Sequence, residues 1–213
     1  MKDLGNLNED GYLLVKNVLS PDILKLLTIQ FTMHRDCVLI EEGFDLDDRI
    51  SEIVNHSGIL SQKSFHQYGI ICFDSLLIFL KEKIEDIVGE KLLPLHSGAR
   101  IMYNGAFMVP HKDKDKYDFV CTICIEEDEK FPYPLCLEDY NQKTVKINIH
   151  PGDMLIYDGC MLNHWREKYE GKRHIQTFIS YAIDNQSNKH LIYDKRPCLG
   201  LGIEWKKIKD AVT

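Results

Sequence analysis

An α+β, mainly β chain is expected: a double-sheet jelly roll (a double-stranded β-helix) with N-terminal helices packed on one of its sheets. Three observations predict it. Helical periodicity is confined to roughly the first 92 residues, and from Leu93 onward the texture changes to short β-rich segments separated by turn residues. Strands at that interval are the pattern of a roll or open barrel, and helices leading into one can cover the outer face of a sheet. The length, 213 residues, suits one domain with a sizeable core. The expected division is a helical part over 1–92, a roll over 93–184 and a tail over 185–213, with no linker or repeat to separate a second domain.

The elements follow in order. GYLLVKNV, residues 11–18, is an apolar, β-branched entry strand. Ser20-Pro21 is a helix start, with serine at the N-cap and proline at the first helical position. Ile23, Leu24, Leu27 and Phe31 continue it at helical spacing to about Met33. Residues 36–70 mix acidic and apolar residues without a period, which predicts loops and a short helix near 48–55. Asp74 is expected to cap a second helix carrying Leu76, Leu77, Leu80, Ile84, Ile87 and Val88, with Gly89 at its end. Strands are expected over 98–103, 118–125, 135–138, 144–149, 153–157 and 173–183. Asn104-Gly105 and Pro151-Gly152 mark tight turns between them.

Composition narrows the function. A chain with 44% hydrophobic and 28% charged residues is an ordinary soluble protein. Its net charge of −7 and pI near 5.7 disfavour nucleic acid and anionic membrane as partners. No stretch is apolar enough to span a bilayer, and the first twenty residues have no secretory pattern. Seven cysteines at irregular spacing do not form a disulfide framework, so a reducing cytoplasm is expected. Cys121 and Cys124 match a bare CxxC, but on a strand an offset of three puts them on opposite faces. Structural thiols are the reading there.

The chemistry concentrates in His111-Lys112-Asp113, with His164 and then Arg173 downstream. Residues two apart on an extended stretch share a face, so His111 and Asp113 can reach one metal. Two imidazoles and a carboxylate form the facial triad that holds Fe(II) and leaves adjacent positions open. A following guanidinium suits the bidentate gripping of a dicarboxylate cosubstrate. A lone HxD is more often a surface turn, and the lysines of HKDKDK fit that reading. The turn, strand, histidine and arginine that follow in order, PGDMLIYDGCMLNHWREKYEGKR, outweigh it.

These segments resemble the core of the Fe(II)/2-oxoglutarate-dependent dioxygenases, nearest the prolyl-hydroxylase-like and phytanoyl-hydroxylase-like members. MYNGAFMVPHKD and PGDMLIYDGCMLNHWREKYEGKRHIQTFISY carry the resemblance, which covers residues 98–184. GYLLVKNVLSPDIL is similar to the entry strand and helix of those proteins. FPYPLCLED, GCMLNHWRE and YDKRPCLG resemble a mostly microbial branch. The resemblance implies His111, Asp113 and His164 as iron ligands, Arg173 as the anchor of the distal carboxylate of 2-oxoglutarate, and Tyr103 as its hydrogen-bonding helper. Tyr103 and Gly105 are one residue closer than in the commoner Y-x-x-G arrangement. Arg166, two residues after His164, is the second candidate for the anchor; Arg173 is preferred because it opens a strand, whereas Arg166 is expected in a turn.

The implied reaction is oxidative decarboxylation of 2-oxoglutarate to succinate and CO2, coupled to hydroxylation of a small-molecule or peptidyl substrate. The competing reading is a non-catalytic cupin-like metal- or ligand-binding protein. A divalent-metal hydrolase or isomerase is a third, and it gives Arg173 no task. His150 is expected at a strand end and His174 on the face opposite Arg173. The remaining histidines lack a partner at ligand spacing.

Overall fold

The computed structural model describes residues 5–41 and 61–202. The short helix expected near 48–55 lies outside them. After a single helical turn, α1 (Leu7–Asp10), the entry strand β1 runs Tyr12–Val15. The next helix, α2 (Pro21–Glu41), starts as its sequence dictates, with the Ser20 side chain accepting from the Ile23 amide at 3.4 Å. It continues eight residues past the expected end. Leu27, Phe31 and Leu39 are buried along its inner face.

Strand β2 (Ser61–Tyr68) was not expected from its polar sequence; it pairs antiparallel with β3 (Leu92–His111). The second helical stretch divides into α3 (Ile71–Phe79) and α4 (Lys81–Val88) around Leu80. Asp74 does not cap it. The residue is one turn inside α3, and its carboxylate is buried against Arg196 and Ser97, so a tertiary ion pair replaces the expected local role. Gly89 ends α4 as expected, with φ at 75° and its amide donating to Glu85.

The remaining strands are β4 (Phe119–Glu126), β5 (Leu135–Glu138), β6 (Thr144–Ile147), β7 (Met154–Tyr157), β8 (His164–Arg166) and β9 (Arg173–Ile183). Their order is β1-β7-β4-β9-β3-β8-β5-β6, with β2 added to β3. The jelly roll forms because β3 belongs to both halves. It pairs with β9 from Leu92 to Tyr103, then with β8 from Met108 to His111. Asn104-Gly105, expected as a turn between strands, is instead the bend inside β3. Gly105 has φ at 82°, and its amide donates to the Tyr169 carbonyl at 2.7 Å.

Two cores result. Phe31, Phe73, Leu77 and Ile84 of the helices pack on Ile101, Ile123, Ile175 and Ile179 of the first sheet. On that sheet's other face, Leu95, Val120, Cys124 and Leu155 contribute to the interior of the roll. Strand alternation therefore divides β3, β4 and β9 into a helix-facing set and a roll-facing set. Cys121 and Cys124 obey it: both are buried, one in each core, and neither is in a disulfide. A strap, Lys189–Lys195, begins as a 3-10 turn, kinks at Ile192 and packs against β3.

Candidate metal centre and its cavity

His111 ends β3 and His164 begins β8, and the two are direct antiparallel partners. Their ring centroids lie 4.3 Å apart. Asp113, two residues past the strand, is held by its own amide, which donates to the Gly159 carbonyl at 2.8 Å. One ligand atom from each of the three residues lies within 4.8 Å of the others, and among the described residues no second such group of histidine, cysteine or acid exists.

The donors fit a divalent metal in finer detail. Each imidazole has its Nδ1 against a backbone carbonyl, His111 with Val109 at 2.9 Å and His164 with Leu162 at 3.1 Å. An Nδ1–H donated there leaves the lone pair on Nε2, the ligand tautomer that such outer contacts favour; in His164 that Nε2 also lies 3.5 Å from the Tyr157 hydroxyl. The His164 Nε2 is 3.7 Å from Asp113 Oδ2, and that oxygen is buried with no hydrogen-bond partner. A buried carboxylate oxygen without a partner is costly unless a cation takes it. Burial holds His164 down to about 4 and lowers His111, helped by the neighbouring His164, so both are neutral at pH 7. Burial raises the Asp113 carboxyl to about 6 against the pull of His111 and Arg100.

The triad opens into a cavity of about 410 Å³ in the roll. Its floor and walls come from the roll-facing sets of the strands: Thr122 and Val120 of β4, Tyr157 of β7, and Gln176, Phe178 and Ser180 of β9. Arg100 of β3 stands among them. Its Nη1 lies 3.0 Å from Met108 Sδ, its Nε has no partner, and its carbon Cζ sits 5.3 Å from the Phe178 ring centroid. Behind the cavity, Arg166 is fully buried, stacked over Tyr133 and donating to the Tyr133 carbonyl. Among the described residues, neither guanidinium has a carboxylate at ion-pair distance. Burial lowers the pKa of both. Two buried cations without an ion-paired carboxylate are an expensive arrangement that an anionic ligand would relieve.

Of the residues singled out in the sequence, His111, Asp113 and His164 are brought together. Arg173 and Tyr103 are not brought to this cavity. They are cross-strand partners on β9 and β3, on the parity that faces the helices. Arg173 makes a bidentate pair with Glu126 at 2.6 and 2.7 Å, and the Tyr103 hydroxyl accepts from Arg35 at 2.9 Å. His174 is on the opposite face from Arg173 as expected, but that face is the interior of the roll. Arg166 is on a strand rather than in a turn, because β8 inserts between β3 and β5.

Sequence reasoning missed Arg100 and Gly159. The first had a visible signal, a lone charge alternating with apolar residues in GARIMY. The second is adjacent to Asp113: a Cβ on Gly159 would lie 2.4 Å from Asp113 Oδ2.

No protein-family model matches the chain, and no curated protein matches its sequence. Solved structures do. A prolyl-4-hydroxylase from Pseudomonas putida aligns at TM-score 0.60 and 13% identity, over 84% of this chain and 96% of that one. HygX from Streptomyces hygroscopicus, in a structure with nickel, 2-oxoglutarate and hygromycin B bound, aligns at 0.59 and 9%, over 88% and 93%. SnoK, a non-haem α-ketoglutarate-dependent carbocyclase from nogalamycin biosynthesis, aligns at 0.61 and 14%, over 93% and 90%. The chain therefore has the jelly-roll fold on which these oxygenases are built.

Proposed function

We propose that this protein is an Fe(II)- and 2-oxoglutarate-dependent oxygenase that hydroxylates a small-molecule or peptidyl substrate. One observation carries the reading. A triad of two histidines and an aspartate, both imidazoles with Nδ1 against a backbone carbonyl, shares its roll with two buried guanidinium groups that, among the described residues, have no carboxylate at ion-pair distance. Bound Fe(II) with 2-oxoglutarate and O2 would supply the oxidising chemistry, releasing succinate and CO2. The protein's own residues hold and orient.

His111, Asp113 and His164 would hold the metal. Arg100 is the residue we assign to the remote carboxylate of 2-oxoglutarate, since it lines the triad's cavity with an unpartnered Nε. Arg166 adds positive potential from behind. Thr122 and Gln176 offer further hydrogen-bonding groups on the same wall. Arg173, the anchor expected from the sequence, is engaged with Glu126 on the other face. Among the described residues no helix is long and apolar enough to cross a membrane. All seven cysteines are free, which supports a reducing, cytoplasmic setting.

The test is anaerobic addition of Fe(II) and 2-oxoglutarate, followed by the visible metal-to-ligand charge-transfer band. A band, and succinate after oxygen is admitted, is the expected result. Metal binding with neither would leave the cupin-like binding protein as the better account.

A further inference from the structure

Beyond the metal and the guanidinium groups, the cavity has an outer part with a different character. Its walls are aromatic: Tyr68, His96, Tyr117 and Phe178 line it, and their rings form a chain of contacts. Asp113 and Asp194 are the acidic residues among its lining, and Asp113 belongs to the triad. Asp194 comes from the strap, where Tyr193, Asp194 and Lys195 all adopt left-handed φ, at 54°, 54° and 64°. Three consecutive non-glycine residues in that region are strained, and such strain persists only where the surroundings impose it. Arg196 anchors the segment, its Nε donating to the Tyr193 carbonyl at 2.9 Å. Its guanidinium is clamped to Asp74 at 2.8 Å and to the Leu201 carbonyl at 2.7 Å. The strap is thus pinned just past Asp194, which presents its carboxylate to the cavity.

What Asp194 pairs with, at the edge of the cavity, is an ammonium. Lys116, from the loop that follows the HxD pair, reaches across and pairs with it. The same Nζ lies 5.1 Å from the Tyr117 ring centroid, within cation–π range. A carboxylate, an aromatic face and a partly buried setting make up the usual recognition chemistry for an alkylammonium. The chain's own lysine occupies it at the end of a flexible four-carbon stem, which a competing amine could displace.

We infer that Asp194 and the face of Tyr117 form a subsite for a substrate ammonium group, held in the absence of substrate by Lys116. This rests on the proposed function only in taking the cavity as the substrate pocket. The substrate class that follows is a primary amine.

The two partners of the ion pair make the inference testable, because a subsite and a mere loop clasp respond differently. Metal-loaded protein is titrated calorimetrically with hexylamine and hexanol. The amine should bind more tightly. Asp194→Asn should weaken amine binding about 10- to 100-fold, the range for a charged hydrogen bond in a partly buried site, and leave hexanol unaffected. Lys116→Met removes the competitor and should tighten amine binding. A clasp without a subsite would make both substitutions act in the same direction, and that result would overturn the inference. So would preference for hexanol, or no amine binding to the Lys116→Met protein. The charge-transfer band of the wild-type protein reports separately on the oxygenase reading, so failure of one does not imply failure of the other.

Discussion

Asp113 and Gly159 are fitted to each other. The Asp113 amide donates to the Gly159 carbonyl at 2.8 Å, and any Cβ on Gly159 would meet Asp113 Oδ2 at 2.4 Å and Val120 Cγ2 at 2.8 Å. Gly159 has no left-handed backbone to explain it; the reason for glycine is close approach. Gly159→Ala should therefore push the carboxylate off the shared metal position. Affinity for a divalent metal is expected to fall about 10- to 100-fold, the range for disturbed ligand support. Competitive titration with a chromogenic chelator measures it, and unchanged affinity would show that the loop relaxes around the methyl group.

The two arginine assignments separate cleanly. Arg100→Met should raise the 2-oxoglutarate concentration needed for the charge-transfer band about 10- to 100-fold, as expected for loss of a charged hydrogen-bond partner. Arg173→Met should change it by less than about threefold, and should lower stability by at most about 1 kcal/mol, since its pair with Glu126 is about a third exposed. If Arg173→Met gave the larger effect on the band, the sequence-based assignment would stand and the face occupied by β9 would need revision.

The strap depends on a buried charge. Asp74 accepts from Arg196, from the Ser97 hydroxyl and from the Gly200 amide, tying α3, β3 and the chain after the strap together. Asp74→Ala leaves the Arg196 guanidinium buried and unpaired, which costs about 3–5 kcal/mol. Urea unfolding should show that loss. The double variant with Arg196→Met should be less destabilised than the sum of the two single changes, because both remove one interaction.

Glu85 gives the fold an acid limit. Burial pushes its carboxyl up, but contacts from Lys81, the Leu92 amide and Lys91 more than offset this and leave it at about 2, against an ordinary 4.5. A folded-state value below the unfolded one means stability that is fully present above 4.5 and is lost as pH falls toward about 2. Chemical denaturation at pH 5, 4 and 3 should show a fall that the Glu85→Gln protein, less stable at neutral pH, shows more weakly.

The strands of the roll were legible where alternation and turn residues bounded them, as with β5 and β9. β2 was not, because SQKSFHQY is largely polar and is a strand only through its partner β3. β8 was hidden for a related reason: three residues carry no period, and HWR becomes a strand by fitting between β3 and β5. In the site, the spacing of His111 and Asp113 is local, and an extended backbone puts both on one face whatever lies around it. His164 was identifiable from the turn and strand before it.

Arg173 shows where such reading stops. RHIQTFISY alternates correctly, and His174 was rightly sent to the face opposite Arg173. Which face is the roll interior is not a property of β9 alone. Ile175 and Ile179 face the helices, so the apolar parity marks the other core and the polar parity, with Gln176 and Ser180, marks the cavity.

The sequence by itself determined the class of fold and the candidate ligand set, since alternation, turn residues and the two-residue spacing of His111 and Asp113 are local features. Tertiary structure alone decided the buried cations, the room Gly159 makes for Asp113, and the meeting of Lys116 with Asp194. Each joins strands or loops distant in the chain, and their contacts arise only when β3 bends from one sheet into the other and the roll closes.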